Sequence, residues 1–245
     1  MIKTWTTPEG AIYPLFENML EQNHLLIAGA TGSGKSVVVN GLIYTALYRS
    51  PANVQFILID PKRVELVQFK KLPHTIGYYS EPYNMITGLE YGLHIIEKRF
   101  LQMQQQSVKK YQGGDVYIII DEFADIMTTN RKSVTPLVQR MAQIGRAAKV
   151  HLILCTQTPI SKILPTEIRC NFDSRIGLRT RNKQDSRNIL DHGGLEELPR
   201  YGQGIYYKPE GETLYNIPMI EQSEIDRLIA WWINQKPKIQ FFKGL

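Results

Sequence analysis

Residues 29–36 read Gly-Ala-Thr-Gly-Ser-Gly-Lys-Ser, and this stretch decides the fold class of the chain. It matches the pattern G-x-x-x-x-G-K-[ST], which requires a buried strand before the loop and a helix after it. Both flanks are present, because the apolar run of residues 25–28 precedes the loop and residues 36–49 follow with helical spacing. The stretch therefore predicts a phosphate-binding loop between a strand and a helix.

The residue types of this loop explain how it would bind a nucleotide. Glycines let the backbone curl so that N–H groups point at phosphate oxygens, and the following helix adds the positive end of its dipole. Lys35 is expected to reach the β- and γ-phosphates, and the Ser36 hydroxyl to ligate Mg²⁺. We therefore predict ATP and Mg²⁺ as ligands. The predicted nucleotide-binding residues are Gly29, Ala30, Thr31, Gly32, Ser33, Gly34, Lys35, Ser36 and Val37.

Two acidic residues follow the apolar run of residues 116–120, where a strand end would lie beside the phosphate loop. Asp121 is predicted to hold Mg²⁺ through water, and Glu122 to act as the general base that polarises the attacking water. Gln157 follows the run 151–155 and would sense the γ-phosphate. The alternatives are an acidic pair that caps the next helix and a solvated loop glutamine.

The rest of the chain alternates apolar runs with helical stretches, which predicts an α/β fold with a mainly parallel sheet covered by helices on both faces. Further strands are predicted at residues 54–59, 116–120, 151–155, 175–178, 204–207 and 214–217. Further helices are predicted at residues 83–106, 135–149 and 223–234. We expect a motor domain over residues 1–220, followed by a C-terminal helix and a basic, aromatic tail over residues 221–245.

Composition excludes several classes of protein. The 245 residues are 43% hydrophobic and 21% charged, which is ordinary for a globular domain and argues against extensive disorder. We see no apolar run of ~18 residues that would predict a membrane segment. Two cysteines are too few for a disulfide scaffold and favour a reducing, cytoplasmic location. A net charge of +6 permits a polyanionic partner.

Several further blocks resemble one family. With the phosphate loop and the Asp121-Glu122 strand, they make the chain similar to the motor domain of FtsK/SpoIIIE-type DNA translocases, in the FtsK–HerA branch of P-loop ATPases. The resemblance covers roughly residues 12–208. The most specific blocks are Ile59-Asp-Pro-Lys62, Val64-Glu65-Leu66 and Asp185-Ser-Arg-Asn-Ile-Leu-Asp191 before Gly193-Gly194.

The resemblance implies a RecA-like core that assembles as a homo-oligomeric ring, usually a hexamer, around double-stranded DNA, with ATP between subunits. An arginine from the neighbouring subunit then stabilises charge on the transferring phosphate. Arg99 and Arg146 match family blocks, and either is a candidate for this trans-acting finger. The alternatives are an exposed helix face for Arg99 and a helix C-terminus that favours positive charge for Arg146.

This sequence also departs from the family pattern. Full translocases carry membrane spans, a linker, a further domain and a C-terminal winged helix, for which residues after Pro218 are too few. Thr158 stands where the family commonly has arginine, and Gln203-Gly204 replaces its usual Asp-Met. These differences weaken any expectation of directional DNA sorting. A compact motor of this kind suits a mobile element, a prophage or an excised motor domain.

Basic residues in predicted loops are candidates for sequence-independent phosphate contacts with DNA. Besides an ATP-driven DNA motor, we consider a motor that moves protein, as in type VII secretion, and an ATP-gated assembly adaptor without catalysis. Glu122 argues against the adaptor, since a pure switch needs no general base. The loop candidates are Arg131, Lys132, Lys162, Arg169, Arg179, Arg181 and Lys183; the tail candidates are Lys236, Lys238, Phe241, Phe242 and Lys243.

Overall fold

The computed structural model describes residues 14–235, which build one eight-stranded sheet in the order β3-β2-β4-β5-β1-β6-β7-β8. Strands β1 to β6 run parallel to one another, and β7 and β8 add an antiparallel edge. The strands are β1 (His24–Ala28), β2 (Val54–Ile59), β3 (Thr75–Tyr79), β4 (Asp115–Ile120), β5 (Val150–Thr156), β6 (Ser174–Leu178), β7 (Gln203–Lys208) and β8 (Gly211–Asn216).

Helices connect the parallel strands, except that the segment between β2 and β3 contains only a one-turn 3₁₀ helix. One-turn 3₁₀ helices lie at Val67–Phe69 and Leu195–Glu197. The α-helices are α1 (Pro14–Leu20), α2 (Lys35–Ala46), α3 (Met85–Gln105), α4 (Phe123–Ala148), α5 (Thr166–Arg169), α6 (Lys183–Leu190) and α7 (Gln222–Asn234).

The central strands are apolar on both sides because each side packs on helices. In β2, Phe56 and Leu58 join the core under α1, α2 and α7, while Ile57 and Ile59 join the core under α3 and α4. This alternation follows from the period of two along a strand. The predicted α/β fold, with a mainly parallel sheet covered on both faces, is therefore confirmed.

Helix α4 begins at Phe123, twelve residues before the predicted start at residue 135. The sequence around Pro136 predicts a helix that starts there, because proline is disfavoured inside a helix. The structure instead places non-helical dihedral angles at Asn130 (φ −135°, ψ 28°), so the two halves meet at an interruption. The polar helix α6, the short helices α1 and α5 and the half-buried edge strand β3 were not predicted.

The C-terminal helix α7 packs onto the same core as the phosphate-loop helix. Trp232 donates its indole N–H to the carbonyl of Leu47 at 2.8 Å and meets the ring of His74 edge-on at 4.5 Å. The basic and aromatic residues predicted to form the tail lie outside the described residues. Among the helices of residues 14–235, none combines the length and the apolar character that a membrane span requires.

The topology brings four loops together at one edge of the sheet. Strands β2, β4, β5 and β1 are consecutive neighbours in the sheet and run in the same direction, so their carboxyl ends lie side by side. In open α/β sheets ligands bind outside this carboxyl edge. Residues that follow these strands are therefore the ones that build the site.

Candidate nucleotide site

The phosphate loop joins β1 to α2 and takes backbone conformations that need glycine. Gly32 has φ 74° and Gly34 has φ 102°, in the left-handed region that other residues rarely adopt. Gly29 has no room for a side chain, because a Cβ there would lie 2.6 Å from Leu178 Cβ and from Ser33 Oγ. The loop therefore packs against β6 at Gly29, whereas among residues 14–235 no atom beyond the adjacent residues lies within 4 Å of the position that a Cβ on Gly34 would take.

The open side presents unused donors, and this is the observation that tests the site for a nucleotide. Within residues 14–235, the backbone N–H groups of Gly32, Gly34, Lys35 and Ser36 donate to no protein acceptor. The Ser33 hydroxyl is buried and also lacks a protein partner. A row of amides at the start of a helix is an anion-binding arrangement, so the loop fits the phosphates of ATP.

Lys35 and Asp121 form a buried ion pair between the loop and the end of β4. Lys35 Nζ lies 2.5 Å from Asp121 Oδ1 and also donates to the Asp121 carbonyl at 2.7 Å. Burial alone would lower the pKa of Lys35, but the carboxylates of Asp121 and Glu122 outweigh it, so the pKa is raised. Burial also raises the pKa of the Cys155 thiol. Cys155 is therefore neutral at pH 7, and Asp121 is the partner that holds the ammonium there.

Ser36, the second residue of α2, donates its hydroxyl proton to Glu65 Oε1 at 2.6 Å. Glu65 follows β2, so the metal side of the phosphate loop faces the loop between β2 and β3. Mg²⁺ bound with nucleotides usually takes one or two protein oxygens together with phosphate oxygens and water. Ser36 and Asp121 supply such oxygens beside the free amides, so the residues present fit Mg²⁺ with a nucleotide.

Glu122 lies beside Asp121 and is 2% exposed. Its Oε1 accepts hydrogen bonds from the Thr156 hydroxyl at 2.8 Å and from the Gln157 amide at 3.2 Å. Its Oε2 lies 3.4 Å from Lys62 Nζ. Glu122 also accepts from the Ala124 amide at 3.4 Å, so it caps α4 as well as facing the site. The capping alternative is therefore present in the structure, and the same side chain lies beside Asp121 at the carboxyl edge, where the general base is predicted.

Gln157 touches the phosphate loop directly. The hydroxyl of Thr31, in the loop after β1, donates to Oε1 of Gln157, in the loop after β5, at 2.8 Å. Four predicted site residues, Lys35, Asp121, Glu122 and Gln157, thus lie in one connected set of contacts at the carboxyl edge. The solvated-loop alternative for Gln157 does not describe this contact.

Arg99 and Arg146 lie at the opposite, amino edge of the sheet. Arg99 is 8% exposed, donates to the carbonyls of Ala148 at 2.7 Å and Lys149 at 3.0 Å, and sits 4.2 Å from the ring centre of Tyr111. Arg146 is exposed in the last turn of α4. That turn lies at the end of α4 opposite Glu122, beyond the interruption at Asn130. Neither arginine can reach the phosphate loop of its own chain.

Four of the basic residues predicted to lie in loops belong to helices instead, so the loop prediction is wrong for Arg131, Lys132, Arg169 and Lys183. The basic residues also differ in how far the fold uses their side chains. Arg169 is used internally, since it pairs with Asp191 at 3.1 Å and donates to the carbonyls of Arg187 and Asn188. Arg131 is exposed and donates to the Lys162 carbonyl at 2.8 Å, which joins α4 to the loop after β5. The remaining candidates, whose side chains are exposed, are Lys132, Lys162, Arg179, Arg181 and Lys183.

Sequence reasoning missed four contributors to the site. Glu65 and Lys62 were part of a family block without an assigned role, and Thr156 lies at the end of a predicted strand without a motif of its own. Arg200 comes from the loop before β7, and its Nη2 lies 3.8 Å from the position that a Cβ on Gly32 would take. Only the folded chain brings these residues to the phosphate loop.

Comparison with solved structures supports the fold. The cytoplasmic domain of the type VII secretion ATPase EccC from Thermomonospora curvata superposes with a TM-score of 0.76 at 23% identity, over 88% of this chain and 28% of that one. The pCW3 conjugation coupling protein TcpA, solved with ATPγS, gives a TM-score of 0.75 at 20% identity, over 87% of this chain and 66% of that one. The fold is therefore that of P-loop ATPases.

Comparison of sequences identifies the family. The protein named DNA translocase FtsK from Treponema pallidum is 36% identical to this chain, over 89% of this chain and 30% of that protein. The protein of the same name from Clostridium acetobutylicum is 34% identical, over 91% of this chain and 32% of that protein. The chain thus spans about a third of the length of these relatives. The sequence model of the FtsK/SpoIIIE family matches residues 7–118 and 114–161. The chain therefore belongs to the FtsK/SpoIIIE family.

Proposed function

We propose that this chain is a Mg²⁺-dependent ATPase that couples ATP hydrolysis to movement along double-stranded DNA. One observation carries the ATPase proposal: Lys35 and Asp121 are paired in the interior, directly beside Glu122 and a loop of unused amides. This set provides a phosphate cradle, a mobile positive charge and a buried carboxylate in one place, which is what phosphoryl transfer to water needs.

Each residue has a distinct task in this reaction. The amides of the loop and Lys35 bind the phosphates, and Lys35 leaves or shares Asp121 to do so. Glu122 accepts a proton from the attacking water, which requires that it give up one of its present donors, Thr156, Gln157 or Lys62. Mg²⁺, when bound through Ser36 and water held by Asp121, supplies charge that neutralises the phosphates.

The DNA part of the proposal rests on the family and on surface charge. The relatives are named DNA translocases, and this chain spans about a third of their length. Arg131 and Lys132 of α4 and Lys162 of the loop after β5 form a basic cluster, which we define by these residues and by the 2.8 Å contact between the first and the last. Phosphate contacts from such a cluster would be independent of sequence and sensitive to salt.

We further propose that the chain works as a homo-oligomeric ring in the cytoplasm, with an arginine acting across the interface. Since both candidate arginines lie at the amino edge, each can serve only the site of a second copy. Arg146 is the better supported candidate because its side chain is exposed, whereas the Arg99 guanidinium is occupied by two carbonyls and an aromatic ring.

The test is ATP hydrolysis by the purified chain with and without long linear double-stranded DNA. We expect Mg²⁺-dependent turnover that rises with DNA and loses the increase as salt rises, and we expect Glu122→Gln to abolish it. Turnover that is unaffected by DNA would contradict the DNA motor and favour a protein-moving motor. Nucleotide binding without any turnover in the wild type would favour an ATP-gated adaptor.

A further inference from the structure

The loop after β2 is held rigidly at the carboxyl edge, and the proposed reaction assigns no role to its residue Glu65. Asp60 is fully buried, and its Oδ2 accepts hydrogen bonds from the Leu66 amide at 3.1 Å and the Tyr78 hydroxyl at 3.3 Å. The Arg63 amide closes a turn onto the Asp60 carbonyl at 3.1 Å. These bonds tie both ends of the loop of residues 60–66 together, so the side chain of Glu65 projects from a fixed frame.

Glu65 and Asp121 each contact a different residue at the start of α2. In this structure Asp121 Oδ1 is paired with Lys35, while the Ser36 hydroxyl donates to Glu65 at 2.6 Å. A hydroxyl has one proton and two lone pairs. When its proton is given to Glu65, both lone pairs of Ser36 Oγ are free for a cation. The contact therefore fixes the orientation in which Ser36 is a metal ligand.

We propose that Glu65 is a positioning residue for Mg²⁺, which acts through the Ser36 hydroxyl rather than on the cation itself. Carboxylates that accept the proton of a metal ligand fix its orientation and raise its basicity, and their loss typically lowers metal affinity ~10–100-fold. The proposal rests on the proposed function, because it assumes that Ser36 ligates Mg²⁺ with a nucleotide. It gives the Val64-Glu65-Leu66 block a task that the phosphate loop cannot perform alone.

The experiment measures binding of a fluorescent ATP analogue, mant-ATP, to the full chain while Mg²⁺ is titrated, without any reading of turnover. Glu65→Gln keeps the size of the side chain but replaces the carboxylate by a weaker acceptor. We expect the Mg²⁺ concentration at half-saturation to rise ~10-fold or more. We expect binding of mant-ATP in excess EDTA to stay within about twofold of the wild type, because the loop amides and Lys35 do not need Glu65.

Glu81→Gln is the matched control, because Glu81 pairs with Arg63 of the same loop at 2.6 Å without touching the site. It should leave the Mg²⁺ midpoint unchanged. Glu65→Asp, one methylene shorter, is the conservative variant and should give an intermediate midpoint; it carries the test if Glu65→Gln does not fold. In a Ser36→Ala background, Glu65→Gln should cause no further loss, because the route through the hydroxyl is already gone.

Three results would overturn the proposal. An unchanged midpoint in Glu65→Gln would show that Ser36 is oriented without Glu65, while leaving the proposed ATPase intact. A further loss in the Ser36→Ala background would show that Glu65 acts on the cation without Ser36. A wild type that binds no mant-ATP, with or without Mg²⁺, would overturn both this proposal and the proposed function on which it rests.

Discussion

The hydroxyl of Thr31 donates a 2.8 Å hydrogen bond to Gln157, and this contact joins the phosphate loop to the end of β5. The amide of Gln157 in turn donates to Glu122 at 3.2 Å. A single residue therefore bridges the loop that would hold the γ-phosphate and the carboxylate that would activate water. In the ATPase that we propose, a change at the γ-phosphate would reach Glu122 through this bridge.

Gln157→Ala should lower turnover about tenfold or more with little change in nucleotide affinity, because the backbone amide that meets Glu122 remains while the contact with Thr31 is lost. Steady-state hydrolysis and mant-ATP binding measure the two effects. Thr31→Val removes the same hydrogen bond from the other side and should act in the same direction. If both variants hydrolyse ATP like the wild type, the bridge has no part in catalysis.

Lys35→Ala should reduce ATP affinity at least about 100-fold, because it removes the charge-assisted bonds to the phosphates. It should also destabilise the chain by about 3–5 kcal/mol, since Asp121 would remain buried and unpaired. Isothermal titration and urea unfolding measure the two changes. The double variant Lys35→Ala/Asp121→Asn should recover much of the stability without recovering affinity. Normal ATP affinity in either variant would contradict the assignment of Lys35.

Glu122→Gln should retain nucleotide binding and lose at least about 100-fold in turnover, because the amide preserves shape and cannot accept the proton of water. The carbonyl oxygen of the amide can still accept from the Thr156 hydroxyl, the Gln157 amide and the Ala124 amide, and the last of these bonds keeps the cap of α4. Single-turnover hydrolysis after saturation with ATP is the measurement. Undiminished hydrolysis would place the general base elsewhere.

Arg146→Ala should keep ATP binding and lose hydrolysis if Arg146 serves a neighbouring copy. Mixing it with the Lys35→Ala/Asp121→Asn protein should restore turnover, because a mixed interface then contains one intact phosphate loop and one intact arginine. Arg140→Ala, on an exposed position of the same helix, is the control and should behave like the wild type. Mixtures at several ratios that never regain activity would speak against Arg146 acting in trans.

Two buried histidines predict that stability falls on acidification. Burial lowers the pKa of His24 to about 4, with a contribution from nearby His151, and burial lowers the pKa of His74 to about 4 as well. In the unfolded chain both histidines have pKa values near 6.5, so between pH ~4 and pH ~6.5 the unfolded chain binds more protons than the folded chain. The stability contributed by the neutral histidines is therefore complete above pH ~6.5 and is lost as the pH falls toward 4. The loss between pH 7 and pH 5 is about 2 kcal/mol per histidine.

Urea unfolding at pH 7, 6 and 5 tests this expectation. His24→Asn should roughly halve the loss of stability between pH 7 and pH 5, because asparagine does not titrate. Its side-chain oxygen can still accept the hydrogen bond that the Leu152 amide now donates to His24 Nδ1 at 3.0 Å. A midpoint that is constant from pH 7 to pH 5 would mean that both histidines take up protons in the folded chain at the same pH as in the unfolded chain, which would contradict the lowered pKa values.

The parts predicted from the sequence are those with a local signal. The buried strands β2, β4 and β5 are continuous apolar runs, and the phosphate loop is a contiguous motif. Strand β3 escaped prediction because it lies at the sheet edge, is only half-buried and contains Gly77. The contact between Ser36 and Glu65 could not be read from the sequence, since 29 residues separate them and only the parallel order of β1 and β2 in the sheet brings them together.

Helix α4 begins directly after Glu122, which is its N-cap, and carries Arg146 in its last turn. Residues 131–148, beyond the interruption at Asn130, form a rod ~27 Å long, in which a tilt of about 5° at one end displaces the other by about 2 Å. In the ring that we propose, movement of the general base in one copy would therefore reposition the cation offered to the next copy. The interruption at Asn130 is then the joint that sets how much of that displacement is transmitted, and stiffening it should synchronise the subunits more tightly.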